Sequence, residues 1–195
     1  MVIAMLGREY DNQVCSIASA LEVIGERWSL LIVRDVFLGL RRFEQIQGDL
    51  GIARNILQRR LSTLVEQGVL EKRLYLQSPP RHEYRLTEKG LDLWPAIVAL
   101  MQWGDRHALG PAGPPVVLEH RGCGGAVDEH RTCAKCGARL SVREARALPG
   151  PGAPPDHPLL RRAGASSRSP ATSSAPSRAM RERGTTRSKP AASAR

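Results

Sequence analysis

Between residues 16 and 108 the spacing of hydrophobic positions changes several times, and each change marks a new element. Ile17, Leu21 and Ile24 recur at spacings of four and three and end at Gly25, which predicts a short amphipathic helix over 16–24. A more thoroughly apolar helix follows over 27–38, carrying Trp28, Leu31, Ile32 and Val36 inward and stopping at Gly39. Its charged residues, Arg34 and Asp35, are expected on the outer side. Arg41, Arg42 and Phe43 open a third helix that buries Phe43, Ile46 and Leu50 before a turn between Gly48 and Gly51.

From 54 to 67 Leu57, Leu61, Leu64 and Val65 form one stripe, while Asn55, Gln58, Arg59, Ser62 and Glu66 fall opposite. Ala53 at the cap position is a weak helix start, and Ile52 with Leu57 fits a hydrophobic staple. The period then shortens to two over 70–77, predicting a strand. Ser78, Pro79, Pro80 and Arg81 turn the chain, and 82–86 returns as a second strand. Thr87 caps a long helix over 88–108, with Leu91, Trp94, Ile97, Val98 and Met101 on one side and Leu93, Leu100 and Trp103 on the other. A helix apolar on two sides needs a second partner, so this one is expected to build a homodimer, bent at Pro95.

Helices, a two-stranded ribbon with a Pro-Pro-Arg tip and a long helix follow the order of a winged helix-turn-helix domain. The residues themselves also resemble a known family. The run from Cys15 to Gly25-Glu26-Arg27-Trp28-Ser29-Leu30-Leu31-Ile32, then Arg41-Arg42-Phe43, Leu57-Gln58-Arg59-Arg60-Leu61, and Pro79-Pro80-Arg81-His82-Glu83-Tyr84-Arg85-Leu86-Thr87 is similar to the HxlR-type transcriptional regulators over about residues 15–105. The resemblance implies a winged-helix homodimer that controls transcription in a sequence-specific way. It also implies a redox- or electrophile-sensing role for Cys15, since some members use a cysteine at that position.

In such an architecture the helix from Arg54 enters the major groove. Arginine bonds guanine bidentately there, and asparagine or glutamine does the same for adenine. Arg54, Asn55, Gln58, Arg59 and Ser62 are therefore the candidate contacts to operator DNA, against the alternative of a merely solvated face. Arg81 at the ribbon tip and Arg41 and Arg42 at the third helix are candidate backbone contacts.

Cys15 falls beside the cap of the first helix, where amide N–H groups lower a thiol pKa; a buried, inert cysteine is the alternative. His120-x-x-Cys123 and Cys133-x-x-Cys136-Gly137 have the spacing of a structural zinc site, with His130 as a rival fourth ligand. A metal-free Cys133/Cys136 redox pair is the competing reading. Residues 116–140 carry too few bulky apolar side chains to fold unaided, which favours zinc as a cofactor.

The formal net charge of +10 sits mostly at the end of the chain: nine basic against two acidic residues follow from Asp156 onward. Base contacts must therefore be argued residue by residue rather than from the total. No run is long and apolar enough for a membrane span and no secretion signal is visible, so a cytoplasmic, nucleoid-associated protein is expected. No hydrolase triad, phosphate-binding glycine loop or paired-carboxylate cleft appears, so no enzyme is expected. The expected organisation is a flexible N-terminus (1–14), a mainly α winged helix-turn-helix domain with a small β-ribbon and a long dimerisation helix (15–109), a linker (110–115), a zinc-ribbon-like segment (116–148) and a disordered basic tail (149–195). A winged-helix module that binds protein rather than DNA is the main alternative function, with a CxxC redox protein behind it.

Overall fold

The computed structural model describes residues 15–160. They run α1 (Ser16–Ile24), α2 (Ser29–Phe37), α3 (Phe43–Leu50), α4 (Arg54–Glu66), β1 (Leu70–Leu76), β2 (Arg81–Leu86), α5 (Glu88–Leu91), α6 (Trp94–His107), β3 (Val116–His120) and β4 (Ala145–Pro149). The flexible segment expected at 1–14, and the expected basic tail from 161 onward, lie outside the described residues.

The core forms where the helical stripes meet. Ile32 and Val33 of α2, Ile46 of α3, and Leu57, Leu61 and Leu64 of α4 are wholly buried in one cluster that continues into Val69 and Leu70. Each such side chain contributes roughly 1.5–3 kcal/mol when fully withdrawn from water. The i, i+4, i+7 spacing of the α4 leucines therefore fixes which face of that helix is locked inward. α3 and α4 are joined by a tight turn: Gly51 ends α3 at a left-handed φ of 62°, and Ala53 caps α4 without a side-chain hydrogen bond.

The wing is the antiparallel pair β1 and β2, in register from Leu70 opposite Leu86 to Leu74 opposite His82, with an irregularity before Leu76 meets Arg81. Arg81 thus begins the strand rather than ending the turn. Arg41 and Arg42 also depart from expectation. They precede α3 in an extended segment, Arg42 bridging Glu83 and the Arg41 carbonyl accepting from the Tyr84 amide at 2.7 Å. The Gln45 side chain explains this, because its Oε1 accepts from both arginine amides at 3.2 and 3.0 Å and holds the helix start at Phe43.

The single bent helix expected over 88–108 is two helices. Thr87 caps α5 as anticipated, accepting from the Gly90 amide at 3.1 Å, and its hydroxyl donates to the Gly68 carbonyl at 2.6 Å. Gly90 lies so close to the Val69 carbonyl that any Cβ would collide with it. Pro95 then occupies the first turn of α6, where a missing N–H costs nothing, so the proline starts a helix instead of bending one.

α6 turns apolar residues in three directions rather than two. Leu93 just before it and Ile97 pack on the winged-helix core. Trp94 and Val98 are buried in a second cluster with Val127, Cys133, Leu140 and Ala145. Leu100 and Trp103 stay 53% and 57% exposed. The segment after 115 is therefore docked, not separated by the linker as expected. Gln102 Nε2 donates to the Val127 carbonyl at 2.8 Å, and Arg106 and Glu129 lie 3.4 Å apart.

Order also continues past 149, where a disordered tail was expected. β4 pairs Pro149 with Val116, and the Gly150 and Gly152 amides donate back to the Pro115 and Pro114 carbonyls at 2.9 and 3.1 Å.

Asp35 is a further correction. Expected outside, it is fully buried, with Oδ1 accepting from Arg34 at 2.6 and 3.0 Å while Arg34 also reaches Asp49 at 2.7 Å. Its Oδ2 has no partner, and burial pushes the carboxyl pKa up to about 7 despite the Arg34 charge beside it.

Candidate DNA interface and metal centre

Opposite its buried leucines, α4 presents Arg54, Asn55, Gln58, Arg59 and Ser62 to solvent. The last four repeat at three- and four-residue steps and so share one face. Arg54 lies over the Phe43 ring at 4.6 Å, which ties the starts of α3 and α4 together. Asn55 Oδ1 accepts from the Ile56 amide at 2.9 Å, leaving its amide nitrogen available for another partner. Arg60, next in sequence to Arg59, is turned away and pairs with Glu26 at 2.6 Å. On the wing, Arg81 is exposed at the tip, and Arg42 stacks over Tyr75 at 4.6 Å. These candidate contacts lie on α4, on the wing and at the start of α3. Arg41 parts from them: it lines a cleft with Arg121 and Arg146 of the C-terminal segment.

Cys15 is exposed at the N-cap of α1. The backbone amides of Ala18 and Ile17 draw its thiol below the ordinary value, although its sulfur closes no capping hydrogen bond.

His120, Cys123, Cys133 and Cys136 come together with all ligand atoms within 4.8 Å of one another. Cys123 Sγ and Cys136 Sγ each stand 3.3 Å from His120 Nδ1, and Cys123 Sγ is 3.4 Å from Cys133 and 3.7 Å from Cys136. A tetrahedral site with metal–sulfur bonds near 2.3 Å has edges of about 3.8 Å, so three sulfurs and one nitrogen fit a closed four-coordinate ion. His130, the rival ligand, is outside this cluster.

Two matching turns build the centre. Gly124 and Gly137, each directly after a cysteine, take φ of 73° and 71°. Their amides donate to the carbonyls of His120 and Cys133 at 2.9 and 2.8 Å. Gly125 is required by proximity, since a Cβ there would run into Cys133 Sγ. Desolvation opposes charge on Cys133, but the amides of Cys136 and Lys135, with Cys123 and His120, bring its pKa down to about 6. The Gly125 amide lowers Cys123, yet the neighbouring sulfurs of Cys133 and Cys136 outweigh it and push that thiol up. Of the Cys133-x-x-Cys136 pair, Cys133 is buried and Cys136 exposed.

The winged-helix part of the chain matches known proteins. The HxlR-like helix-turn-helix family model matches residues 23–110. An HTH-type transcriptional regulator of Mycobacterium tuberculosis is 46% identical over 152 residues, covering 78% of this chain and 95% of that protein. That match runs well past Gly110 into the metal-ligand segment. A Synechocystis HTH-type regulator is 33% identical over 94 residues, covering 48% of this chain and 70% of the relative. Among solved structures, the transcription factor PA1607 is 43% identical with a TM-score of 0.55, over 68% of this chain and 93% of that one. No described helix is long and apolar enough to cross a membrane. With its winged helix-turn-helix and near-complete coverage of a 46% identical regulator, the chain belongs to the HxlR-like helix-turn-helix family of transcriptional regulators, which are not enzymes.

Proposed function

We propose that the chain is a cytoplasmic homodimer that binds operator DNA through α4, with Asn55, Gln58, Arg59 and Ser62 reading bases and Arg54, Arg42 and Arg81 holding the backbone. The observation that carries this reading is the division of α4. Its leucines are locked in the core while its opposite face offers exposed amides, a guanidinium and a hydroxyl beside an exposed wing arginine. An acidic or covered face would have favoured a protein-binding module. Nearby acidic residues do not make it one: Glu26 is paired with Arg60, and Glu66 lies beyond Ser62 at the far end of the helix. The dimer is supported by the exposed strip of Leu100 and Trp103 on α6 and by Ile17, 70% exposed on α1.

His120, Cys123, Cys133 and Cys136 would hold one structural zinc ion. Zinc supplies no chemistry beyond cross-linking the two turns, because all four positions are filled by protein. Cys15, exposed and with a lowered pKa, would serve as the thiol sensor.

Genome-wide recovery of bound DNA tests the proposal. A single motif with two half-sites about 10 bp or a multiple apart is expected, because each subunit of a symmetric dimer presents one recognition helix to one groove. Recovery of no enriched motif would contradict it.

A further inference from the structure

We infer that the cleft between the end of α2 and the β3–β4 ribbon is a binding site for a small organic anion, a carboxylate carried on an aromatic or aliphatic body. The cleft has a volume of about 500 Å³, with Phe37, Leu148 and Leu159 supplying apolar wall and Arg41, Arg121 and Arg146 supplying guanidinium groups. Proteins hold small ligands in pockets of roughly 300–1,000 Å³ that combine apolar lining with a few convergent polar groups.

The charge balance selects the ligand. Arg146 is neutralised by Glu119. Arg121 uses Nε on the Ala145 carbonyl at 3.0 Å, and among the described residues neither it nor Arg41 has a carboxylate partner. Two guanidinium groups facing one space are best satisfied by an anion between them, and a carboxylate takes two parallel N–H bonds from such a fork. The apolar wall favours an organic body over a bare inorganic ion, since that body displaces water from Phe37, Leu148 and Leu159.

Arg41 also separates this site from the DNA face. Successive side chains of an extended segment leave on opposite sides, and Arg42 lies over Tyr75 of the wing while Arg41 lines the cleft. The Arg41 backbone is bonded to Tyr84 on the wing and to Gln45 on α3. An anion that draws on Arg41 therefore acts on the segment joining the wing to the helices that carry the DNA face. That coupling rests on the DNA-binding role proposed for α4; anion binding does not.

Calorimetric titration of the full-length protein with 3-phenylpropionate tests the site. Saturable binding of one molecule per chain is expected, weakened at least about tenfold by Arg121→Gln and by Leu148→Glu, with metal content and circular dichroism unchanged. On the unaltered protein, 3-phenylpropionamide keeps the body and loses the charge, and should bind at least about tenfold more weakly. No saturable binding of the acid up to about 10 mM, equal binding of acid and amide, or binding indifferent to both substitutions would overturn the proposal. So would inorganic phosphate binding as tightly as the acid, which would assign the cleft to a DNA phosphate instead.

Discussion

α4 and α6 are amphipathic helices of 13 and 14 residues in the same chain, yet they leave opposite kinds of surface open. α4 buries every leucine of its stripe and exposes amides, guanidinium groups and a hydroxyl. α6 divides its apolar residues between the winged-helix core, the C-terminal segment and solvent, where Leu100 and Trp103 remain. A polar exposed face with planar donors suits base edges, while an exposed apolar strip suits protein. Under the proposed function, the contrast gives recognition to one helix and assembly to the other.

The contrast breaks most severely where α6 meets the metal-ligand segment. That segment lends Val127, Cys133, Leu140 and Ala145 to a cluster completed by Trp94 and Val98, so its own apolar content is small. Structural zinc contributes on the order of 10–16 kcal/mol to the folding of comparable small sites, a large share of what holds so small a segment together. Cys133→Ser should therefore abolish the expected stoichiometry of about one zinc per chain. It should also melt the region from β3 to β4 and red-shift Trp94 fluorescence as its cover is lost. Unchanged zinc content and emission would refute the role given to Cys133.

Within α4, Leu61→Ala should destabilise the winged-helix core by about 2–5 kcal/mol in denaturant unfolding, because Leu61 is fully buried and a cavity would remain. A loss below about 1 kcal/mol would mean that α4 is not anchored as described. Trp103→Asp tests the other side of the comparison. Placing a charge on the exposed strip should cost dimerisation at least about 2 kcal/mol and give monomers in sedimentation at micromolar concentration. The monomer's own stability should barely change, and a dimer that survives the substitution would move the interface elsewhere.

A smaller effect is expected from Asp35. Its folded pKa, near 7, lies above the ordinary carboxylate value of 3.8, so the folded state binds the proton more tightly than the unfolded chain does. The stability that this group contributes should be highest below about pH 4, fall as pH rises through the interval to about 7, and level off above it. Asp35→Asn should flatten that portion of a pH series of urea midpoints; an unchanged slope would assign the dependence to another group.

Much of the fold is legible in the sequence because the information is local. The leucine spacing of α4, the caps at Ala53 and Thr87, and the two turns that end at Gly124 and Gly137 are set by neighbours within a few residues. Long-range contacts are not legible in the same way. Asp35 reads as solvent-facing because its cover comes from packing of α2 with the rest of the core, and its partner Arg34 is held in place by Asp49 of α3. Arg41 reads as a companion of Arg42, and only pairing with β2 draws the segment into an extended form that parts them. The docking of the metal-ligand segment is hidden because Trp94 and Val98 carry the same helical period whether they face a second subunit or a later part of the chain. Pro95 is visible in the sequence, but a proline that bends one helix and a proline that starts another carry the same local pattern.

If the exposed face of α4 reads operator sequence, the most direct measurement is the affinity of the full-length protein for its recovered operator before and after Arg59→Ala. Arg59 is exposed, so the substitution should leave folding intact. It should weaken operator binding by about 1–3 kcal/mol and relax base preference at one position in each half-site, with nonspecific binding little changed. Unaltered operator affinity and unaltered preference, for Arg59→Ala and equally for Asn55→Ala and Gln58→Ala, would contradict the assignment of α4 as the reading helix.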